Sequence, residues 1–267
     1  MKGFSMAHRD KIVGFLNDTL RTAAVKEKAC NGLQVQGVAD VRRVGLAVDA
    51  CLEAYERAVA ADCQMLLVHH GLLWGEAMPI TGRLYEHVSF LVRNGLNLYG
   101  SHLPLDMHPE LGNNAQLARL MGLNEVVPFG EYHGEVIGFS GALPEAESPQ
   151  ALARRLGDAL GGRPVVLEFG PSAVRRVAVV SGGAADMVEQ AARAGLDAYV
   201  TGEPVHFAYQ LSRELRTNVI YLGHYQSETL GVRALGRRLT ERFGVENVFL
   251  NITAPDAGWS TTQDQRD

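Results

Sequence analysis

Two histidines stand side by side at His69-His70, and two others each precede a carboxylate by four positions, His102 before Asp106 and His224 before Glu228. Imidazole nitrogens and carboxylate oxygens in such groups are ligands for divalent cations. Their positions echo one another. Val41-Arg42-Arg43-Val44 recurs as Val174-Arg175-Arg176-Val177, an offset of 133 (174 minus 41) that sets His70 opposite Glu203. Further on, Tyr99-Gly100-Ser101-His102 matches Tyr221-Leu222-Gly223-His224 at an offset of 122 (224 minus 102), a length difference of 11 (133 minus 122). Chelating residues at matching places of a duplicated unit point to a metal site between the halves.

The elements that must position these residues follow from patterning. Apolar residues at helical spacing predict a helix over 7–22. The apolar run 44–48 predicts a buried strand, with Asp49 as N-cap of a helix over 51–61. Strands at 65–68 and 96–99 follow, with a helix between them closed by Asn94-Gly95 and another near 112–121. The stretch 126–170 is less regular, with strands at 136–139 and 165–169 and a helix over 151–160. The echo then predicts strands at 177–180, 198–200 and 219–222. Helices are expected over 185–194, 204–215 (Pro204 in the first turn) and about 227–243, and a last strand at 248–252.

This is an α/β pattern with parallel strands. It predicts two similar, pseudo-symmetric lobes, 1–125 and 126–255, with a dinuclear metal site in the cleft between them and a disordered tail over 256–267. Every candidate ligand follows the carboxyl end of a predicted strand, where open α/β sheets place their crevices.

A lone His-His pair is more often accidental than chelating; the set gains weight from recurring at matching strand ends. Adjacent histidines facing one cavity suit two ions about 4 Å apart better than one. Asp106 or Glu228 is then the candidate bridge. His8, His87 and His133 read as ordinary surface or helix residues. His108 and His206 lie near the expected mouth as supporting or proton-relay candidates. Ser181-Gly182-Gly183 lacks a complete phosphate-binding pattern and reads as a tight turn. The Trp74 loop is a candidate lid or intersubunit contact, and Cys63 reads as inert core.

Composition narrows the classes. A net charge of −5 offers no basic surplus for nucleic acid. The three cysteines, Cys30, Cys51 and Cys63, form neither a disulfide framework nor a thiolate cluster. No signal peptide or membrane span is legible, so a cytoplasmic location is expected, with Met1 or Met6 as the start.

Taken together, Asn31-Gly32-Leu33-Gln34-Val35, Val68-His69-His70-Gly71, Ser101-His102 with Asp106, Thr201-Gly202-Glu203, and Gly223-His224 with Glu228 resemble the type-2 GTP cyclohydrolase I-like family, also called NGG-interacting-factor-like. The resemblance spans about residues 8 to 252 and corresponds to the short form. It implies a toroidal homohexamer and a dinuclear centre held by His69, His70, Asp106, His224 and Glu228. The loop Gly71-Leu72-Leu73-Trp74 departs from the family's usual early Pro.

The expected function is metal-dependent hydrolysis of a nucleotide-like or phosphorylated small molecule. Two divalent ions (zinc, manganese, iron or nickel) would activate water, with His102 or Glu203 shuttling protons. The alternative is a non-catalytic metal-binding or regulatory assembly. Nucleic-acid and membrane partners are not expected.

Overall fold

A computed structural model describes residues 5–252. In chain order the elements are β1 (Ala7–His8), α1 (Arg9–Leu20), β2 (Gly32–Val35), β3 (Asp40–Val41), β4 (Arg43–Asp49), α2 (Leu52–Ala60), β5 (Met65–His70), α3 (Gly82–Arg93), β6 (Asn97–Gly100), α4 (Leu103–Asp106) and α5 (Asn113–Met121). Then come β7 (Asn124–Tyr132), β8 (Glu135–Glu147), α6 (Pro149–Leu160), β9 (Val165–Leu167), β10 (Val174–Val179), a 3-10 turn Ala185–Met187, α7 (Val188–Arg193), β11 (Ala198–Thr201), α8 (His206–Glu214), β12 (Asn218–Tyr221), α9 (His224–Ser227), α10 (Thr229–Phe243) and β13 (Glu246–Phe249).

The described residues form two compact units, 5–116 with 228–252, and 117–227. A break near 125 would leave 228–252 in the second lobe; these residues instead group with the first. The reason lies in pairing and packing. β13 runs parallel to β4, with Asn247 opposite Val44. Val232, Leu235 and Leu239 of α10 join one buried cluster with Ile12 and Leu16 of α1 and with Leu46 and Leu67 of the sheet. The proposed tail 256–267 lies outside the described residues.

The first unit's sheet has the order β13-β4-β5-β6-β2; the second unit's has the order β7-β8-β10-β11-β12-β9. In each, three central strands are parallel. Strands 44–48 and 65–69 are buried throughout because helices cover both faces of a parallel core, which is why they read as unbroken apolar runs. The less regular 126–147 stretch is a long antiparallel hairpin, β7–β8, turning at His133-Gly134 with φ of 51° and 85°. Its many exposed side chains obscure the alternation on which a strand reading depends.

The duplication is visible in individual hydrogen bonds. Asn97 accepts from the Gly37 amide and donates to the Val38 and Gln64 carbonyls. Asn218 does the same with Gly170, Pro171 and Asp197. Gln64 Oε1 accepts from the amides of Arg42 and Arg43, as Asp197 Oδ2 does from Arg175 and Arg176. The offset of 133 therefore holds from 37/170 to 64/197. At β6 and β12 it is 121 (218 minus 97), and the Ser101–Val68 amide bond is repeated by Leu222–Thr201. The length difference is thus 12 (133 minus 121), so His102 stands opposite Gly223, not His224. Tyr99 likewise stands opposite Ile220, and Gly100 opposite Tyr221. Matching identical letters misplaces the echo by one residue, and one residue on a strand is one face of the sheet.

Candidate metal centre

β4, β5 and β6 end side by side, so the residues that follow them share one edge of the sheet. His69 is completely buried. Its Nδ1 lies 2.9 Å from the Ser101 carbonyl, which can only accept, so Nδ1 carries a hydrogen and Nε2 is the atom turned to the recess. His70 Nδ1 pairs with Asp49 at 2.8 Å, and His102 Nδ1 with Glu27 at 2.5 Å. All three imidazoles are thus tethered through Nδ1 to oxygen, which orients metal-binding histidines and raises their basicity. Each of the three offers a ring nitrogen within 4.8 Å of the others'.

Two carboxylates face the same space. His69 Nε2 is 3.4 Å from Asp106 and 3.5 Å from Glu228, and His70 Nε2 is 3.3 Å from Glu228. Asp106 and Glu228 are 5% and 3% exposed, so water does little to offset their charge. Burial pushes the His69 imidazole down, but Asp106 and Glu228 outweigh it and hold its pKa at about 10. Without a metal ion the recess keeps a proton on His69 against two buried carboxylates; a divalent cation would take that proton's place and bind Nε2. The donor set, imidazole and carboxylate in a buried recess, therefore fits divalent metal ions.

Supporting residues come from distant segments. Asn31 donates to Glu27 and accepts from the His102 amide. Burial raises the Glu27 carboxyl, and the bonds from His102 and Asn31 overcome it, so the net shift is downward. Asn113 donates to Asp106 Oδ1 and accepts from the Gly231 amide, tying the carboxylate to the start of α10. Gln34 Oε1 accepts from the Leu72 and Leu73 amides and so pins the loop after the double histidine. Trp74 bonds to the Gly71 carbonyl and sets its ring 4.9 Å from that of His102.

The expected residues therefore divide. His69, His70, His102, Asp106 and Glu228 belong to the first unit and converge there. Glu203 and His224 belong to the second, where Glu203 lies 3.1 Å from His224 Nδ1. His224 and Glu228 do not share one helix, because α9 ends at Ser227 and Glu228 occupies the N-cap position of α10.

Glu27 carries no local sequence signal. Asp49 is not the cap of α2, a position held by Cys51; it ends β4 and orients His70. Pro204 precedes the N-cap Val205 and so lies outside the first turn of α8. His87 is 3% exposed and bonds to Tyr55, so it is a core residue. His108 Nδ1 accepts from the Glu110 and Leu111 amides, holding a turn and leaving no lone pair on that nitrogen for proton transfer. Gly182 is consumed within its turn, donating to Ser227 and accepting from Thr201, which agrees with a tight turn. Burial pushes the Cys63 thiol up to about 12, as expected of inert core.

A profile of the Duf34/NIF3 (NGG1p interacting factor 3) family matches residues 7–255. Proteins described as "GTP cyclohydrolase 1 type 2 homolog" are similar: that of Deinococcus radiodurans is 42% identical, covering 91% of this chain and 93% of its own, and that of Archaeoglobus fulgidus is 44% identical, covering 91% and 97%. Among solved structures, protein ybgI, described as of unknown function, superposes with a TM-score of 0.86 at 36% identity, covering 93% of this chain and 100% of its own. A protein of Thermus thermophilus superposes at 0.85 with 39% identity, covering 93% and 99%. Similarity across nearly the whole length, in sequence and in fold, makes this chain a member of the Duf34/NIF3 family.

Proposed function

We propose that this protein is a metal-dependent hydrolase of a nucleotide-like or phosphorylated small molecule, holding two divalent cations. The reading rests above all on the three histidines whose Nδ1 atoms are bound to Ser101, Asp49 and Glu27, with the Nε2 atoms of His69 and His70 beside buried carboxylates. His69, His70, Asp106 and Glu228 are the ligands from the first unit. His224, four residues before Glu228, is the fifth. Bound cations of this kind lower the pKa of water and stabilise developing negative charge.

The protein's own residues supply the rest. Glu27 and Asp49 fix the rings of His102 and His70, Asn113 fixes Asp106, and Trp74 restricts water over His102. With Nδ1 committed to Glu27, His102 presents Nε2 and acts as a further donor to the cation; the Glu27 bond also gives it a route for passing a proton. Glu203, paired with His224, orients that ring in the same manner. The nucleotide-like substrate is supported by the descriptions of the curated relatives. A homohexamer is part of the proposal, supported by the exposed apolar side chains of Met78, Ile80, Tyr85 and Val92. So is a cytoplasmic setting, supported by three free cysteines. Among the described residues no helix is long and apolar enough to cross a membrane.

The test is elemental analysis of the purified protein. It is followed by chelation, return of zinc, manganese, iron or nickel, and assay against GTP and a phosphoester panel. Metal uptake with metal-dependent turnover is expected. Uptake without turnover of any substrate would leave the non-catalytic assembly, and no uptake would refute the centre itself.

A further inference from the structure

The loop after the double histidine is tied down along its whole length. The amides of Leu72 and Leu73 donate to Gln34 Oε1, and Gln34 Nε2 donates to the Cys30 carbonyl. The Cys30 amide donates to the Leu73 carbonyl, and the Gly75 amide to that of Lys28. Ala29 and Trp74 meet in an isolated antiparallel bridge. Trp74 adds its own clamp, with Nε1 donating to the Gly71 carbonyl at 2.7 Å. A segment held this way is a wall, not a lid.

Trp74 is not spent on packing. Leu72 packs on the buried cluster that α2 and α3 make with the sheet, but Trp74 stays out of that cluster and is 36% exposed. Its ring lies 4.9 Å from that of His102 and 6.2 Å from that of His70. These are the two imidazoles that reach solvent. The side chains of His70 and His102 are 21% and 24% exposed, whereas that of His69 is 0% exposed. The recess therefore opens at His70 and His102, and Trp74 borders the opening. With Nε1 committed to Gly71, the indole has no polar atom left to offer. It presents flat aromatic surface in a fixed place, and such surface holds a planar ring by stacking.

We propose that Trp74 binds the substrate by stacking on a planar heterocyclic ring, and so selects a nucleobase-like compound over a sugar phosphate that has no ring of this kind. The inference rests on the hydrolase reading for the presence of a substrate at this centre, and it narrows that substrate's class. The ring rests on the indole at the mouth, and the rest of the molecule reaches past His70 and His102. A sugar phosphate alone gains nothing from the indole. Trp74 takes no part in holding cations, because its one nitrogen carries a hydrogen and donates it to Gly71.

The probes are guanosine 5′-monophosphate and ribose 5-phosphate, which differ by the base alone. Both are titrated into the manganese-loaded full chain and into its Trp74→Ala and Trp74→Phe variants, with metal content, circular dichroism and mass in solution measured on each. The nucleotide should bind about tenfold more tightly than the sugar phosphate, as one base–aromatic stack provides. Trp74→Ala should erase that advantage while leaving ribose 5-phosphate affinity and metal content unchanged, and Trp74→Phe should keep part of it. The chain has two tryptophans, so in Trp259→Phe the emission comes from Trp74 alone. The nucleotide should quench that emission and the sugar phosphate should not. Equal affinity of the two probes for the metal-loaded parent would overturn the proposal. So would an advantage that survives in folded Trp74→Ala, or a Trp74→Phe variant no better than Trp74→Ala. Parallel loss of both probes with a changed mass would assign Trp74 to a subunit contact instead. Absence of metal from the parent would sink the hydrolase reading; metal without a base-dependent advantage would sink this inference alone.

Discussion

The two units share a frame and differ at its rim. Asn97 and Asn218 make the same three hydrogen bonds, and the side chains of Gln64 and Asp197 each hold a pair of arginine amides. Where β5 ends on His69-His70, β11 is followed by Gly202-Glu203. Gly202 is held tightly: a Cβ there would meet the Gly182 carbonyl at 2.6 Å and Ser227 at 2.8 Å. One unit thus fills its rim with imidazole and packs Gln34 against Gly71 and Gly100; the other leaves the rim small and carries Pro204 and Tyr221 where those glycines stand. Hydrogen bonds that close the backbone tolerate little change, because a buried polar group without a partner is costly. Residues at strand ends are free of that duty, and chemistry diverges there.

The widest separation of the two rims comes from His69→Ala. It should eliminate bound metal, whereas Tyr221→Phe should leave metal content unchanged; inductively coupled plasma analysis of both variants decides, and equal content would dissolve the contrast. Next, Glu27→Gln keeps the shape of the residue that orients His102. It should weaken metal binding about 10–100-fold, the usual effect of losing an orienting partner, measured by competition with a chromophoric chelator. Unaltered affinity would leave Glu27 as scaffold alone.

The shared frame is tested by Asn97→Ala and Asn218→Ala. Each should cost about 3 kcal/mol in urea unfolding followed by a probe local to its own unit, since three buried groups lose partners. A large cost in one and none in the other would show that the repeat is a resemblance of trace only. The smallest effect concerns the chelated protein. The folded-state pKa of His69, about 10, lies above its ordinary 6.5, so its contribution to stability is complete below about pH 6.5 and is lost as pH rises through 10. Thermal melts of His69→Gln against the parent across that window should converge toward high pH. Parallel curves would mean that His69 stays neutral.

Legibility of the fold in the sequence depended on range. The runs 44–48 and 65–70 announce parallel strands because both their faces are covered, and periodic residues such as Ile12, Leu16 and Leu20 announce α1. The β7–β8 hairpin was obscured by its exposed side chains. Of the proposed centre, His69, His70, Asp106 and Glu228 were legible as donor types following strand ends. Glu27 was not, because it sits in an irregular segment 75 residues before its partner His102. Asp49 was visible but assigned the wrong duty, since an acidic residue before a helix looks the same whether it caps that helix or holds a ring on the next strand.

What the sequence determined by itself was local or repetitive: the strand and helix order, the donor types at the rim, and the fact of duplication. Only the tertiary structure decided which face each residue takes. The true offset at β6 and β12 emerged from ladder register, which a match of letters misses by one residue. That single step opposes Tyr221 to Gly100, where the first unit seats Gln34. The physical reason is that backbone pairing and long-range hydrogen bonds are settled between segments that meet only on folding, while periodicity is settled within a segment.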